Sequence, residues 1–277
     1  MSDGERIAKR LARAGVASRR GAEAMIAEGR VRVNGALIDS PALNVTESDR
    51  IEVDGAPVAA AQRVRLWRYH KPAGLVTSHA DEKGRTTIFD KLPEGLPRVM
   101  SIGRLDLNSE GLLLLTNDGG LKRRLELPDT GWVRKYRVRA KGQPTDQMLA
   151  PLRDGLTLDG ERFRGMSVTI DKQQGANAWL TIGLREGRNR EIRRALDAVG
   201  LTVNRLIRIS YGPFQLGELA RGEVEEVRQK VLRDQLGIGA TGDPDTPGSG
   251  KSRIRRRPTG GKPSGTRPKA SRGSRRG

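Results

Sequence analysis

Four consecutive leucines, Leu112 to Leu115, run directly out of the stretch Gly103-Arg104-Leu105-Asp106-Leu107-Asn108-Ser109-Glu110-Gly111. No other feature constrains the fold of this chain as tightly. A short uninterrupted apolar run bounded by turn residues reads as a buried strand. The glycine-bounded stretch before it is then a loop at the mouth of that strand, and it holds one acid and one arginine. A carboxylate fixed between turn residues at such a mouth has few ways to move, which suits chemistry better than packing. Asp106 is therefore the first candidate for a catalytic residue. Taken alone, the segment is also an ordinary polar turn with an Asp beside an Arg.

The 277 residues suffice for two domains, and the apolar content lies mostly before residue 237. No apolar run approaches the length of a membrane span, and Met1 to Arg6 lacks the layout of a secretory signal. The expectation is a cytoplasmic protein with no membrane partner. Without cysteine there are no disulfides or thiolate sites, and two histidines, His70 and His79, do not make a zinc site. No metal and no cofactor is expected. A net charge of +19 calls for a polyanion, nucleic acid or an anionic surface. Eleven Lys and Arg against two Asp lie after Gly237, so residues 1–237 keep an excess of ten positive charges.

Residues 5–55 read as a small unit of two helices and a few strands. Ile7, Leu11 and Ala14 share one helical face, with Gly15 as the stop. Ser18 offers an N-cap to a second helix that turns Ala22, Met25 and Ile26 inward and ends at Gly29. Val31 and Val33 alternate with Arg30 and Arg32 before Asn34-Gly35, a dipeptide suited to a tight hairpin, and Ile51 and Val53 supply another strand. Residues 56–64 read as a linker. Arg13, Arg19, Arg20, Arg30 and Arg32 gather around the second helix and the hairpin, a grouping that suits phosphates. A solvated helix face is the alternative.

From Arg65 to about Leu236, strands are expected near 65–69, 98–102, 111–116, 133–139, 163–170, 177–184 and 203–209, and helices near 119–127, 145–154 and 190–199. Strands outnumber helices without alternating one for one, which predicts an α+β domain on a mixed, largely antiparallel sheet. From residue 237 to 277 the chain turns to Gly, Pro, Ser, Thr and Arg, and a disordered basic tail is expected, able to add phosphate contacts.

Arg13-Ala14-Gly15-Val16-Ala17-Ser18-Arg19-Arg20, then Glu23, Ile26, Gly29 and Val31-Arg32-Val33-Asn34-Gly35, closely resembles the RNA-binding domain named after ribosomal small-subunit protein S-four. The resemblance covers about fifty residues and implies an S-four-type domain over residues 1–60. That domain binds structured RNA, with Arg13, Ser18, Arg19, Arg20 and Arg32 as its contacts.

Three further motifs follow in order: Gly103-Arg104-Leu105-Asp106 with its leucine run, Lys135-Tyr136 in a strand, and Glu186-Gly187-Arg188-Asn189-Arg190-Glu191-Ile192-Arg193-Arg194 at the head of a helix. Individually, Tyr136 could be a half-buried strand tyrosine and Arg193 a solvated helix arginine. The histidines and tryptophans read as turn, core or rim residues. Together the motifs resemble the pseudouridine synthases of the RsuA/RluB type, from the N-terminal unit to about residue 230. The resemblance implies a catalytic domain over 65–236 that isomerises uridine to pseudouridine in ribosomal RNA. It casts Asp106 as the acting carboxylate, Arg193 as its ion-pair partner and Tyr136 against the uracil. Arg104 would brace the gap left by a flipped base, and Ile192 would form the apolar wall of the pocket.

The reaction breaks a C–N bond and makes a C–C bond with no redox change and no outside reactant, so one carboxylate is sufficient. The form of the last motif is most similar to the large-subunit branch, which implies 23S rRNA, free or in a pre-ribosomal particle, as partner, and a monomeric enzyme. Small-subunit 16S rRNA as substrate, and a non-catalytic RNA-binding assembly factor, remain as alternatives.

Overall fold

The computed structural model describes residues 4–127 and 131–238. Beyond Ile238, the expected tail lies outside the described residues. The chain opens with β1 (Glu5–Arg6), α1 (Ile7–Arg13), α2 (Arg19–Ala27), β2 (Val31–Val33), β3 (Ala36–Leu37), β4 (Asn44–Val45), β5 (Ile51–Val53) and β6 (Ala56–Pro57). The Ser18 side chain accepts the Gly21 N–H at 2.9 Å and so starts α2. Asn34 and Gly35 both take positive φ, 52° and 83°, as the tight turn between β2 and β3 requires. Ile7, Leu11, Ala22, Ile26, Val31, Val33, Val45 and Ile51 form a core of their own. The expected linker over 56–64 begins as strand, because β6 pairs with β5.

Next come β7 (Leu66–Lys71), a 3₁₀ turn (Phe89–Lys91), β8 (Met100–Ile102), β9 (Ser109–Thr116), α3 (Gly119–Glu126), β10 (Arg134–Lys141) and α4 (Asp146–Asp154). They are followed by β11 (Thr157–Leu158), β12 (Glu161–Arg162), β13 (Ser167–Gln174), β14 (Asn177–Leu184), α5 (Glu191–Ala198), β15 (Thr202–Tyr211), β16 (Phe214–Gln215), β17 (Val224–Glu226) and α6 (Gln229–Leu236). Nine strands make one sheet in the order β13-β14-β10-β15-β9-β7-β17, with β8 on β9 and β16 on β15. Its one parallel pairing is β9 with β15, where Ser109 to Gly111 face Leu206 to Arg208. The sheet is mixed and largely antiparallel, as expected.

The leucine run lies at the centre of this sheet. All eight residues of β9 are buried. Leu113 and Leu115 join Trp67, Tyr69 and the inner faces of α4 and α5 on one side of the sheet. Leu112 and Leu114 join Leu121 and Leu125 of α3 and Leu232 and Leu236 of α6 on the other. A strand covered on both faces has no solvent side, which is why its leucines do not alternate with polar residues.

Two expectations need correction. The strand expected at 163–170 begins only at Ser167, because Gly165 crosses the end of α4 so closely that a Cβ there would overlap the Arg153 carbonyl oxygen. Strand β17 and helix α6, which sequence reasoning missed, complete the sheet edge and the second core.

Candidate active site

The loop that carries Asp106 is held from beneath. Gly103 turns at φ +67° and its N–H donates to a Glu126 carboxylate oxygen at 2.7 Å. The Thr77 hydroxyl donates to the Leu105 carbonyl at 2.9 Å, and the Gly74 N–H donates to the Leu107 carbonyl at 2.8 Å. Under the loop sits Lys71, fully buried at the end of β7. Its ammonium donates to the carbonyls of Pro72 (3.0 Å), Asp106 (3.2 Å), Leu107 (3.3 Å) and Ser109 (2.9 Å). Burial pushes the Lys71 ammonium down to about 8, against the opposing pull of the Asp106 and Glu110 charges. Sequence reasoning did not single out Lys71. The signal was available: strand alternation puts it on the same side as Trp67 and Tyr69, so a buried ammonium there had to find acceptors.

At the far end of the loop, Gly111 lets β9 approach β15. With φ +102°, a Cβ at this position would overlap the Arg208 carbonyl oxygen and lie 2.6 Å from its nitrogen. The parallel pairing that brings β15 alongside the loop therefore requires glycine.

Asp106 opens into a cavity of about 970 Å³ whose lining includes Arg104, Tyr136, Glu191, Ile192 and Leu206. The structure thus brings together four of the residues singled out from sequence: Arg104, Asp106, Tyr136 and Ile192. Tyr136 is nearly buried at 8% exposure, on the core side of β10, and Ile192 lies in the first turn of α5. Leu206 of β15 completes an apolar floor, and sequence reasoning did not name it.

Arg193 stands behind the loop. Its guanidinium donates to the carbonyls of Asn108 (3.3 Å) and Val203 (3.2 Å), and its Nε is buried without a hydrogen-bond partner. Burial and the neighbouring Arg190 charge lower its pKa, and the Asp106 charge opposes them. The direct ion pair expected between Arg193 and Asp106 is absent from the ion pairs of the described residues. The arginine instead satisfies the backbone on either side of the site and acts on Asp106 through its field.

Glu191, 3% exposed, was also missed. One oxygen accepts the Arg188 N–H at 2.9 Å, closing the turn into α5, while the other is buried with no partner. Burial raises its pKa above the ordinary carboxylate range. Several arginines ring the mouth. Arg188 is committed to Glu161 and Glu186, and Arg134 to the Arg185 carbonyl and the Tyr211 hydroxyl. Arg104, Arg164 and Arg190 are exposed cavity-lining residues with no side-chain hydrogen bond or ion pair among the described residues. A cavity with Asp106 at its opening, an apolar floor and a cationic rim is suited to a planar base whose flanking phosphates stay outside.

Of the residues singled out in the N-terminal unit, Arg13 is paired with Glu5 at 2.9 Å, Ser18 is occupied as the cap of α2, and Arg32 donates to the Gly35 carbonyl at 3.0 Å. Arg19 and Arg20 are exposed at the start of α2, and neither has an ion pair among the described residues.

The family model described as RNA pseudouridylate synthase matches residues 65–198, and the S4 domain model matches residues 5–51. The chain is 49% identical over 228 residues to a protein of Rickettsia felis called an uncharacterized RNA pseudouridine synthase, across 82% of this chain and 99% of that protein. It is 40% identical over 235 residues to ribosomal large subunit pseudouridine synthase B of Yersinia pestis, across 82% of this chain and 74% of that protein. Among solved structures, a crystal structure of pseudouridylate synthase superposes with a TM-score of 0.59 at 25% identity, covering 83% of this chain and 98% of that one.

Proposed function

The chain belongs to the RNA pseudouridylate synthase family and isomerises uridine to pseudouridine in RNA, and we propose that its substrate is the large-subunit (23S) ribosomal RNA and that Asp106 is the carboxylate that acts on the target nucleotide. The observation that carries this reading is the cavity, in which Asp106, Tyr136, Ile192 and Arg104 meet although they come from distant parts of the sequence.

In the reaction the uracil N1–C1′ bond breaks, the base turns, and a C5–C1′ bond forms. N1 ends with a proton and C5 loses one, so nothing is oxidised or reduced. Asp106 attacks or stabilises the nucleotide during cleavage, on a loop that Lys71, Thr77 and Gly74 keep from shifting. Tyr136 and Ile192 hold the detached uracil in plane, Tyr136 with a hydroxyl able to help a proton move. A uridine reaches this depth only by leaving its stack, and Arg104, on the exposed side of the loop, occupies the space it vacates. Arg164 and Arg190 meet the neighbouring phosphates. In the N-terminal unit, Arg19 and Arg20 are the cations that engage structured RNA, with Arg13, Ser18 and Arg32 holding the scaffold around them. Domains over residues 1–60 and 65–236, a monomeric state and a cytoplasmic location fit this role, with RNA free or in a pre-ribosomal particle. Among the described residues no helix is long and apolar enough to cross a membrane.

The test is carbodiimide-based primer extension on unmodified 23S and 16S rRNA, with Asp106→Asn beside the wild type. A stop in 23S rRNA made by the wild type alone, with the variant still binding RNA within a few fold, is the expected result. Pseudouridine made by Asp106→Asn removes Asp106 from its role. A stop in 16S rRNA only overturns the substrate.

A further inference from the structure

Strand β10 alternates Lys135, Arg137, Arg139 and Lys141 with buried residues, and all four cations are exposed. They face away from the catalytic cavity, since Tyr136, Val138 and Ala140 point to the core on that side. On the opposite side of the sheet, α3 and α6 cover the part around β7 and β9. Among the described residues no helix covers β10, β14 and β13 there. In cross-strand register, Arg139 lies between Arg205 of β15 and Trp179 of β14, and Trp179 faces Lys172 of β13. The Arg137 guanidinium rests over the Trp179 ring at 4.9 Å.

Among the described residues Lys135, Arg137, Arg139, Lys141 and Lys172 have no ion pair and no side-chain hydrogen bond, whereas the carboxylates nearest in register are engaged. Asp171 accepts from the Thr181 hydroxyl at 2.9 Å, and Glu110 is held by Arg205 and Arg221. Like charges two apart on one strand, at a spacing of about 6.8 Å, and opposite one another on adjacent strands repel, and nothing within the described residues neutralises them. Edge protection does not account for them, because β10 is an interior strand with neighbours on both sides. Nor does the C-terminal segment suit this face, since it carries eleven Lys and Arg against two Asp.

We propose that this open sheet face is a second RNA-binding surface, which takes the phosphate backbone of ribosomal RNA at a distance from the nucleotide being modified. A ladder of cations on a rigid strand, with one aromatic platform among them, fits a sugar–phosphate backbone better than base edges. The inference rests on the reading of the chain as a ribosomal RNA enzyme. The face would hold a large substrate in place while the cavity works on a single uridine.

The experiment compares full-length wild type with Arg137→Gln/Arg139→Gln/Lys141→Gln, and with Arg137→Lys/Arg139→Lys/Lys141→Arg, on 23S rRNA over a range of salt. None of the three residues lines the cavity. Deprived of three charges that meet phosphates, the neutral variant should show a slope of log affinity against log salt shallower by roughly 2 to 3, and affinity weaker by about tenfold at moderate salt. Its single-turnover rate at saturating RNA should stay within about twofold of wild type, and the charge-conserving variant should keep the wild-type slope. An unchanged slope in a neutral variant that melts like wild type overturns the proposal. So does an equal loss in both variants, which would assign the effect to packing over Trp179, or a loss seen on anionic lipid vesicles and not on RNA. If the neutral variant shows the expected slope change on rRNA but the wild type makes no pseudouridine, the functional reading fails and the surface stands.

Discussion

Replacing Lys71 by Met tests whether a buried ammonium organises the loop that carries Asp106. Methionine fills nearly the same volume and removes only the charge and the donors. In the wild type the folded-state pKa of Lys71 falls from 10.5 to about 8, because burial outweighs the favourable Asp106 and Glu110 charges. That fall corresponds to roughly 3 kcal/mol held against the fold at neutral pH. The unfolded chain keeps its proton up to about 10.5, whereas the folded protein sheds it near 8. Between those values unfolding takes up a proton, so raising the pH stabilises the folded state.

Against that cost stand four carbonyls. Those of Asp106 and Leu107 keep other donors, the N–H groups of Ser109 and Gly74, when the ammonium is gone. Those of Pro72 and Ser109 lose the lysine bond, at about 1 to 3 kcal/mol each. Near pH 7 the two effects largely offset, and Lys71→Met should be less stable than wild type by no more than about 3 kcal/mol. Urea unfolding at pH 7.5, 9 and 10.5 should then show the stability of wild type relative to Lys71→Met rising by up to about 3 kcal/mol across that range. The same variant should lose at least about tenfold in single-turnover rate, since roughly 1.4 kcal/mol of lost positioning suffices for that. A difference in stability that stays flat from pH 7.5 to 10.5 refutes the buried-charge argument. An unchanged rate refutes the positioning one.

Gly111→Ala should cost more than about 4 kcal/mol or prevent folding, because its Cβ meets backbone atoms of Arg208 that cannot move without parting β9 from β15; a melting temperature within a few degrees of wild type would contradict the close approach. Arg193→Ala should slow single turnover by about tenfold or more while RNA affinity stays within a few fold, since it removes a charge near Asp106 and the donor to Asn108 and Val203. A normal rate in that variant takes Arg193 out of the mechanism. Deleting residues 239–277 should weaken RNA binding and flatten its salt slope by about 2 or more, with the modified site unchanged; an unaltered slope means the segment does not engage RNA.

What the sequence disclosed, and what it hid, divides by whether the determining contact is local. Ser18, Gly29 and Asn34-Gly35 act through backbone groups a few residues away, and α2 and the hairpin lie where those residues place them. The leucine run announced a buried strand because only a strand covered on both faces dispenses with alternation. Where the contact is distant, the reading fell short. Gly165 is bent by the end of α4, and that displaced β13 by four residues from its expected start. Arg193 was read as the partner of Asp106 because opposite charges in matching motifs invite pairing. The fold gives its guanidinium two backbone carbonyls instead, one from the Asp106 loop and one from β15.

Lys71 and the cations of β10 mark the boundary between the two cases. In both, period-two alternation was plain in the sequence, and alternation says that successive side chains oppose one another without saying which side is covered. That is settled by the strand order. Placing β9 between β7 and β15 puts it where α4 and α5 cover one face and α3 and α6 the other, with Lys71 beneath the loop, while placing β10 beyond β15 leaves one of its faces without a helix among the described residues. The same topology therefore makes one lysine a buried organiser of the site and four other cations an open surface. The two roles separate by experiment, because the first is read in the pH dependence of stability and the second in the salt dependence of binding.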